Sequence, residues 1–402
     1  MAELNLDPAH WMRAGTLQLS ALPPLSVYIH LPWCLQKCPY CDFNSHAWRG
    51  GDMAAAEQQY IDAILTDLDL SLPLVWGRSV QTIFMGGGTP SLFSPDAIDR
   101  LLSGVRARLR LLANAEVTLE ANPGTFETDR FKAFRQAGVN RLSIGVQSFN
   151  DRFLRPLGRV HDAVQAMAAV EEAAQCFDTF NIDLMYALPG QSLADWQADL
   201  ERALSFQPAH LSLYHLTIEP NTAFAKFPPQ GLPDEDAAFD MLDFATHRTQ
   251  AAGLGRYEVS AYAQAGHRCA HNLNYWQFGD YLGLGAGAHG KLSFAHRVMR
   301  TVRWRDPQRY VESALAGRAI AQADEVRRAE LPFEFMLNAL RLREGFELAL
   351  FTERTGLPLS AIEATMTQAE QKGWLARLGT QVRPTELGFD FLSDLQALFL
   401  PG

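Results

Sequence analysis

Short apolar runs rich in β-branched and aromatic residues alternate with longer amphipathic stretches over the first half of the chain. The runs are SVYIHL (26–31), SVQTIFMG (79–86), AEVTLEAN (115–122), NRLSIGV (140–146), DTFNIDLMYAL (178–188) and AHLSLYHLTI (209–218). Their nearly continuous apolarity predicts strands covered on both faces. Helical periodicity fills the gaps at 54–70, 95–112, 127–138, 161–176 and 192–206, with Ser94 and Ser192 as N-cap candidates. Six strands alternating with helices predict right-handed βαβ crossovers and a parallel sheet. The expected fold class is therefore α/β, an open, partial (β/α)6 barrel. In such folds the chemistry gathers at the C-terminal ends of the strands.

The rhythm changes after about residue 220. A helix is expected at 234–252, followed by a Gly- and aromatic-rich stretch at 255–290. Beyond residue 325 the pattern is compact and helical at 330–343, 346–355 and 359–374. A hairpin candidate, LARLGTQVRPT, and a last helix at 386–399 follow. Helices followed by a small hairpin predict a winged-helix-like unit. The expected organisation is an N-terminal arm (1–24) closed by Pro23-Pro24, a core (25–220), a barrel extension (221–324) and a C-terminal domain (325–402).

Composition narrows the function classes. The chain has 402 residues, 48% apolar and 20% charged, which excludes a disordered or fibrous protein. Its net charge of −10 argues against a dedicated nucleic-acid binder, so the C-terminal unit reads as a lid or packing domain. No apolar run reaches the ~18 residues of a membrane span, and the N-terminus lacks the features of an export signal. A cytoplasmic protein without a transmembrane segment is expected, with peripheral membrane contact left open.

Five cysteines change the picture more than composition does. Cys34, Cys38 and Cys41 fall in CLQKCPYC, directly after the first strand, while Cys176 and Cys269 stand apart. An odd count without an export signal argues against a disulfide framework. The C-x3-C-x2-C spacing can turn three thiolates toward one centre. Iron–sulfur clusters normally take four cysteines, and no fourth follows here. A cubane held by three would leave one iron open to a ligand. The alternative is a zinc site completed by His30 or His46, which would make the chain a zinc-site binding module.

The motifs YIHLPWCLQKCPYCDFNSH, MGGGTPS, EANPG, GVQSF, NIDLMYALPGQ and HNLNYW arrive in this order along the chain. Together they resemble the radical S-adenosylmethionine (radical SAM) superfamily and, within it, the family of the oxygen-independent coproporphyrinogen III oxidase, over about residues 25–400. The resemblance implies a [4Fe–4S] cluster on Cys34, Cys38 and Cys41, whose open iron binds the amino and carboxylate groups of SAM. It also implies SAM contacts from Tyr28, Tyr40, Gly87, Gly88, Thr89, Glu120, Gln147, Arg159 and Asp183. Physical readings stand beside these. Glycines at a strand end let a backbone approach a ligand, and Glu120 at the end of a strand can accept hydrogen bonds from ribose hydroxyls. Taken alone, Tyr28 reads as a core tyrosine, and Arg159 and Asp183 as a structural ion pair or a strand-end turn. In HNLNYW, His271 is the family's haem-linked position, an axial ligand beside Tyr275 and Trp276. Cys269 is the alternative ligand, and the plain reading of His271 is a satisfied loop histidine. Cys176, on an apolar helix, reads as buried, and GLGAGAHG (283–290) as a tight packing site.

One departure bears on activity. The oxidase carries a further cysteine two positions after the third, where this chain has Phe43. The arm is also short for the segment that the oxidase lays over its substrate. The chain therefore resembles the family's haem-chaperone branch. That branch implies haem as the cargo, haem-acceptor proteins as partners and an iron-storage protein as a haem donor. Oxidative decarboxylation of coproporphyrinogen III is the alternative activity.

Overall fold

The computed structural model describes residues 11–125 and 129–401. Six parallel strands run in sequence order across the sheet: β1 (Leu25–Leu31), β2 (Ser79–Gly87), β3 (Arg110–Ala121), β4 (Arg141–Gln147), β5 (Phe180–Tyr186) and β6 (His210–His215). Five helices return the chain between them. These are α1 (Met53–Val75), α2 (Pro95–Arg106), α3 (Arg130–Ala137), α4 (Ala163–Cys176) and α5 (Leu193–Ser205). Four of these five helix starts have a local cause. Asp52, Ser94, Asp162 and Ser192 cap α1, α2, α4 and α5 by accepting from backbone N–H groups, and Asp162 and Ser192 do so within capping boxes.

Among the described residues the sheet extends well beyond the predicted six strands, to twelve. Beside β1 lies a parallel strand, β7 (Asp280–Leu284). The antiparallel β8 (His289–Phe294), β9 (Arg297–Arg303) and β10 (Ile320–Glu325) continue outward from it. Beyond β6 come the short antiparallel strands Ala261–Ala263 and Gly255–Arg256. The segment after residue 220 thus supplies both borders of the sheet, together with helix α6 (Glu235–Ala251) and helix α7 (Ala270–Trp276).

Outward-facing residues of β1 to β6, such as Val27, Ile83, Leu119, Ile144, Ile182 and Leu211, pack under the helices in one apolar core. The opposite face of the same strands is polar and buried, with Ser26, Thr82, Thr118, Arg141, Ser143, Asn181, His210 and Ser212. Helix α7 accounts for part of this polarity. Its Asn274 donates to Ser26 Oγ at 2.8 Å, and His271 Nδ1 pairs with Thr82 Oγ1 at 2.7 Å.

A second core holds the C-terminal helices Leu331–Ala339, Leu348–Thr355 and Glu363–Gln371 against a three-stranded sheet of Phe346–Glu347, Gln381–Pro384 and Leu375–Leu378. Leu17 and Leu19 of the arm join this core. Three boundaries differ from expectation. Helix α2 stops at Arg106, and residues 110–112 open β3 instead. Strand β6 ends at His215. The last helix breaks at Phe391, whose φ of −103° and ψ of 40° are not helical. Among the described residues no helix is long and apolar enough to cross a membrane.

Candidate functional site

A cavity of about 340 Å³ opens at the C-terminal ends of β2 to β6. Cys34, Cys38 and Cys41 line one side of it. Gly87, Gly88, Thr89, Glu120, Gln147, Arg159 and Asp183 line the rest, with Tyr40 and Phe43. Eleven of the residues singled out from sequence for the cluster and SAM therefore meet in one place.

The cysteine loop is closed at its base by the two-residue parallel strands Trp33–Cys34 and His46–Ala47. Within it the Cys41 N–H donates to the Cys38 carbonyl at 3.2 Å. Asn44 ties the loop to the extension, donating to the carbonyls of Ala286 and Arg305 at 3.0 and 2.8 Å. The glycine run beside it is packing: a Cβ on Gly287 would stand 2.5 Å from Asn44 Nδ2, and one on Gly285 2.3 Å from the His30 carbonyl oxygen.

The walls carry perturbed acids. Burial, followed by the Asp183 charge, pushes the Glu120 carboxyl up to about 7, and an N–H from Gly87 at 3.1 Å opposes the shift. Asp183 is likewise raised by burial, although Asn181 and Ser143 donate to it at 2.8 and 3.1 Å. Gln147 sits at the end of β4 with φ of +70°, a strained conformation for a residue with a side chain and one that clusters at ligand sites. Burial also raises the Cys34 thiol, and a hydrogen bond from Thr89 offsets part of that.

The donor set separates a cluster from a single metal ion. Ligands of one tetrahedral zinc lie about 2.0–2.3 Å from it, so their donor atoms must converge. Among the described residues no group of three or more His, Cys, Asp or Glu side chains converges in that way. Neither histidine needed for the zinc alternative turns to the thiols. His30 pairs with the Tyr28 hydroxyl at 2.9 Å and the Asn44 carbonyl at 3.0 Å, and His46 pairs with Asn44 Oδ1 at 3.3 Å. Three thiols lining one cavity suit a cubane, in which each would hold a different iron. The Nε of Arg159, buried without a hydrogen-bond partner at the same wall, fits a ligand with acceptor atoms.

Two expected site residues do not reach the cavity. Tyr28 stacks on Phe84 with ring centroids 6.4 Å apart, and its hydroxyl is engaged by His30. His271 is 1% exposed within the barrel. Besides the Thr82 contact, its Nε2 pairs with the Tyr275 hydroxyl at 3.0 Å, so both ring nitrogens have partners. The plain reading, a satisfied histidine, describes this geometry. Cys269 is also internal, its thiol pushed up to about 12 by burial. Cys176 is half-buried where full burial was expected.

Sequence reading missed Ser143, Tyr214 and Ser45, all of which line the cavity. Ser143 and Tyr214 occupy alternate positions of apolar strands, the signal that could have found them. Ser45 Oγ lies 3.4 Å from Cys41 Sγ.

The Radical SAM superfamily model matches residues 28–203, and the HemN C-terminal domain model matches residues 326–391. Heme chaperone HemW of Escherichia coli strain K12 is 48% identical over 381 residues, covering 94% of this chain and 99% of that protein. The chain belongs to the HemW family. Heme chaperone HemW of Haemophilus influenzae is 45% identical over 385 residues, covering 94% and 98%. Among solved structures, coproporphyrinogen III oxidase (HemN) from Escherichia coli aligns with a TM-score of 0.80 at 23% identity, over 94% of this chain and 90% of that one. This last likeness is one of fold. The HemW-family chain shares the oxidase's architecture from the barrel through the C-terminal domain, with Phe43 61% exposed at the cavity.

Proposed function

We propose that this HemW-family chain is a haem chaperone. It binds haem, carries a SAM-binding [4Fe–4S] cluster, and passes haem to acceptor proteins in the cytoplasm, with an iron-storage protein as a haem donor. The observation that carries this reading is the 48% identity to a protein named heme chaperone HemW across 94% of the chain. The exposed Phe43 supports it: an apolar ring replaces the thiol that the oxidase pattern requires.

In this reading Cys34, Cys38 and Cys41 each hold one iron. The backbone of Gly87, Gly88 and Thr89 receives the methionyl end of SAM, Glu120 accepts from its ribose hydroxyls, and Arg159, Gln147 and Asp183 complete the polar wall. Bound SAM and a reducible cluster supply one-electron chemistry. The protein's part is to orient the ligand and keep water from it.

The test is one anaerobic preparation, reconstituted with iron and sulfide and assayed for haem binding and for coproporphyrinogen III turnover with SAM and a reductant. Haem binding without decarboxylation is expected. Steady release of carbon dioxide from coproporphyrinogen III would replace this reading with the oxidase.

A further inference from the structure

The segment Gly158–Arg159 is fitted onto the cysteine loop at several points. Gly158, at φ +67°, leaves room for Pro39: a Cβ there would stand 2.8 Å from the proline Cδ. The Gly158 carbonyl oxygen lies 3.9 Å from Cys38 Sγ. Arg159 then turns inward. Its Nη1 donates to Cys38 Sγ at 3.7 Å, its Nη2 donates to the Gly145 carbonyl at 2.6 Å, and it also reaches the Tyr40 side chain.

Gly145 is shaped to this purpose. A Cβ on it would meet Arg159 Nη2 at 3.3 Å and Gln147 Nε2 at 3.1 Å. The short helix Asp151–Leu154 anchors the segment from behind, since the Arg159 N–H donates to the Leu154 carbonyl. A guanidinium holds two acceptors at a fixed angle, which an ammonium cannot do, so the head group is locked between Gly145 and Cys38. Of its donors only Nε is left without a partner.

We infer that Arg159 is a positioning residue for the cluster. It directs one charge-assisted hydrogen bond at Cys38 Sγ and places a half-buried cation beside the iron that Cys38 holds, and this sets the cluster's reduction potential. The inference rests on the cluster assigned above to Cys34, Cys38 and Cys41. It adds to the role expected from sequence, in which Arg159 contacts SAM. Cluster potentials follow net charge, hydrogen bonds to the sulfurs and solvent exposure, and Arg159 supplies the first two at a half-buried position. A cation and a donor beside the sulfur favour the electron-rich reduced state, so removing them makes reduction harder. Nε stays available to a ligand, which lets one side chain touch the cluster's sulfur and the SAM pocket together.

The experiment titrates the reconstituted full-length protein anaerobically in the absence of SAM, following the reduced-cluster EPR signal, for the wild type, Arg159→Gln and Arg159→Lys. In Arg159→Gln the reduction equilibrium at a given potential should fall about tenfold, a downward shift of roughly 59 mV for one electron. Arg159→Lys keeps the charge and should shift less. If the glutamine variant takes up too little iron to titrate, the lysine variant carries the test, with a smaller shift of the same sign expected. An unchanged potential in a variant with normal iron and sulfide content, and with only SAM affinity lost, overturns the inference and leaves the cluster assignment standing. A wild-type protein that forms no cluster overturns both.

Discussion

The Glu120 carboxylate accepts the Gly87 N–H at 3.1 Å, which joins the end of the third parallel strand to the glycine turn that ends the second. The bond holds an acid that burial and Asp183 together push up to about 7 from an ordinary 4.5. The folded protein therefore keeps a proton on Glu120 between about pH 4.5 and 7 that the unfolded chain releases. The associated stability is present below 4.5 and is lost as pH rises through 7. Ligand binding works in the opposite direction, since ribose hydroxyls donate best to the ionised carboxylate. Glu120→Gln should melt higher than the wild type at pH 8, and the difference should vanish below pH 5. It should also bind SAM about ten- to a hundredfold more weakly at pH 8, the loss of one hydrogen bond to a charged group. Calorimetric titration and thermal melts check both arms, and an unchanged affinity removes Glu120 from the SAM site.

Cluster ligation follows from the arrangement of the thiols. Reconstituted protein should hold about four irons and four sulfides per chain. Serine at position 34, 38 or 41 should abolish this, while Cys176→Ser and Cys269→Ser should leave it intact, because neither residue lines the cavity. Metal and sulfide analysis decides the matter. Stoichiometric zinc without iron would restore the single-ion site.

Gly87 separates a demand of the fold from a demand of the ligand. Its φ is +116°, and a Cβ there would stand 2.4 Å from the His30 ring. His30 cannot easily swing aside, since Tyr28 and Asn44 hold its two nitrogens. Gly87→Ala should therefore lower stability by at least the ~1–3 kcal/mol of a strained backbone position, with no SAM present. Thermal melts of the SAM-free protein measure it. An unchanged melt with lost SAM binding would mean that close approach of the ligand alone explains the glycine.

The same residue shows how far the sequence could be read. That a glycine was needed at the end of the second strand was visible in MGGGTPS, but the His30 ring that requires it comes from a different strand. Local periodicity revealed the six parallel strands, because each is an apolar run bounded by breakers. It did not reveal β9, where an arginine recurs at every third position of RVMRTVR. Arg303 is buried there because Asp67 of helix α1 meets it at 3.1 Å and Ser71 and Thr301 accept from it as well. For the site, the cysteine spacing and the strand-end polar residues were legible because position along a parallel strand determines where a side chain emerges. Arg159 was placed at the right wall, whereas its contact with Cys38, 121 residues away in sequence, depends on tertiary packing.

His271 carries the last prediction. The motif suggested an axial haem ligand, but the folded chain gives its ring to Thr82 and Tyr275 and leaves it 1% exposed. Burial also pushes the imidazole down to about 3, so it is neutral across the physiological range and adds no pH dependence there. His271→Ala would remove two hydrogen bonds, leave the Thr82 hydroxyl with Ser26 Oγ as its partner, take the imidazole from the Tyr275 hydroxyl, and open a cavity beside Phe84, whose ring centroid is 5.0 Å away. A loss of about 2–5 kcal/mol is expected. The Soret band of the haem complex should keep its position in the fraction that stays folded if the ring keeps these two partners when haem binds. Parallel thermal melts and haem titrations of the wild type and the variant read both quantities. A shifted Soret band together with an unchanged melt would mean that the imidazole leaves Thr82 and Tyr275 to reach the iron, and that helix α7 opens when haem binds.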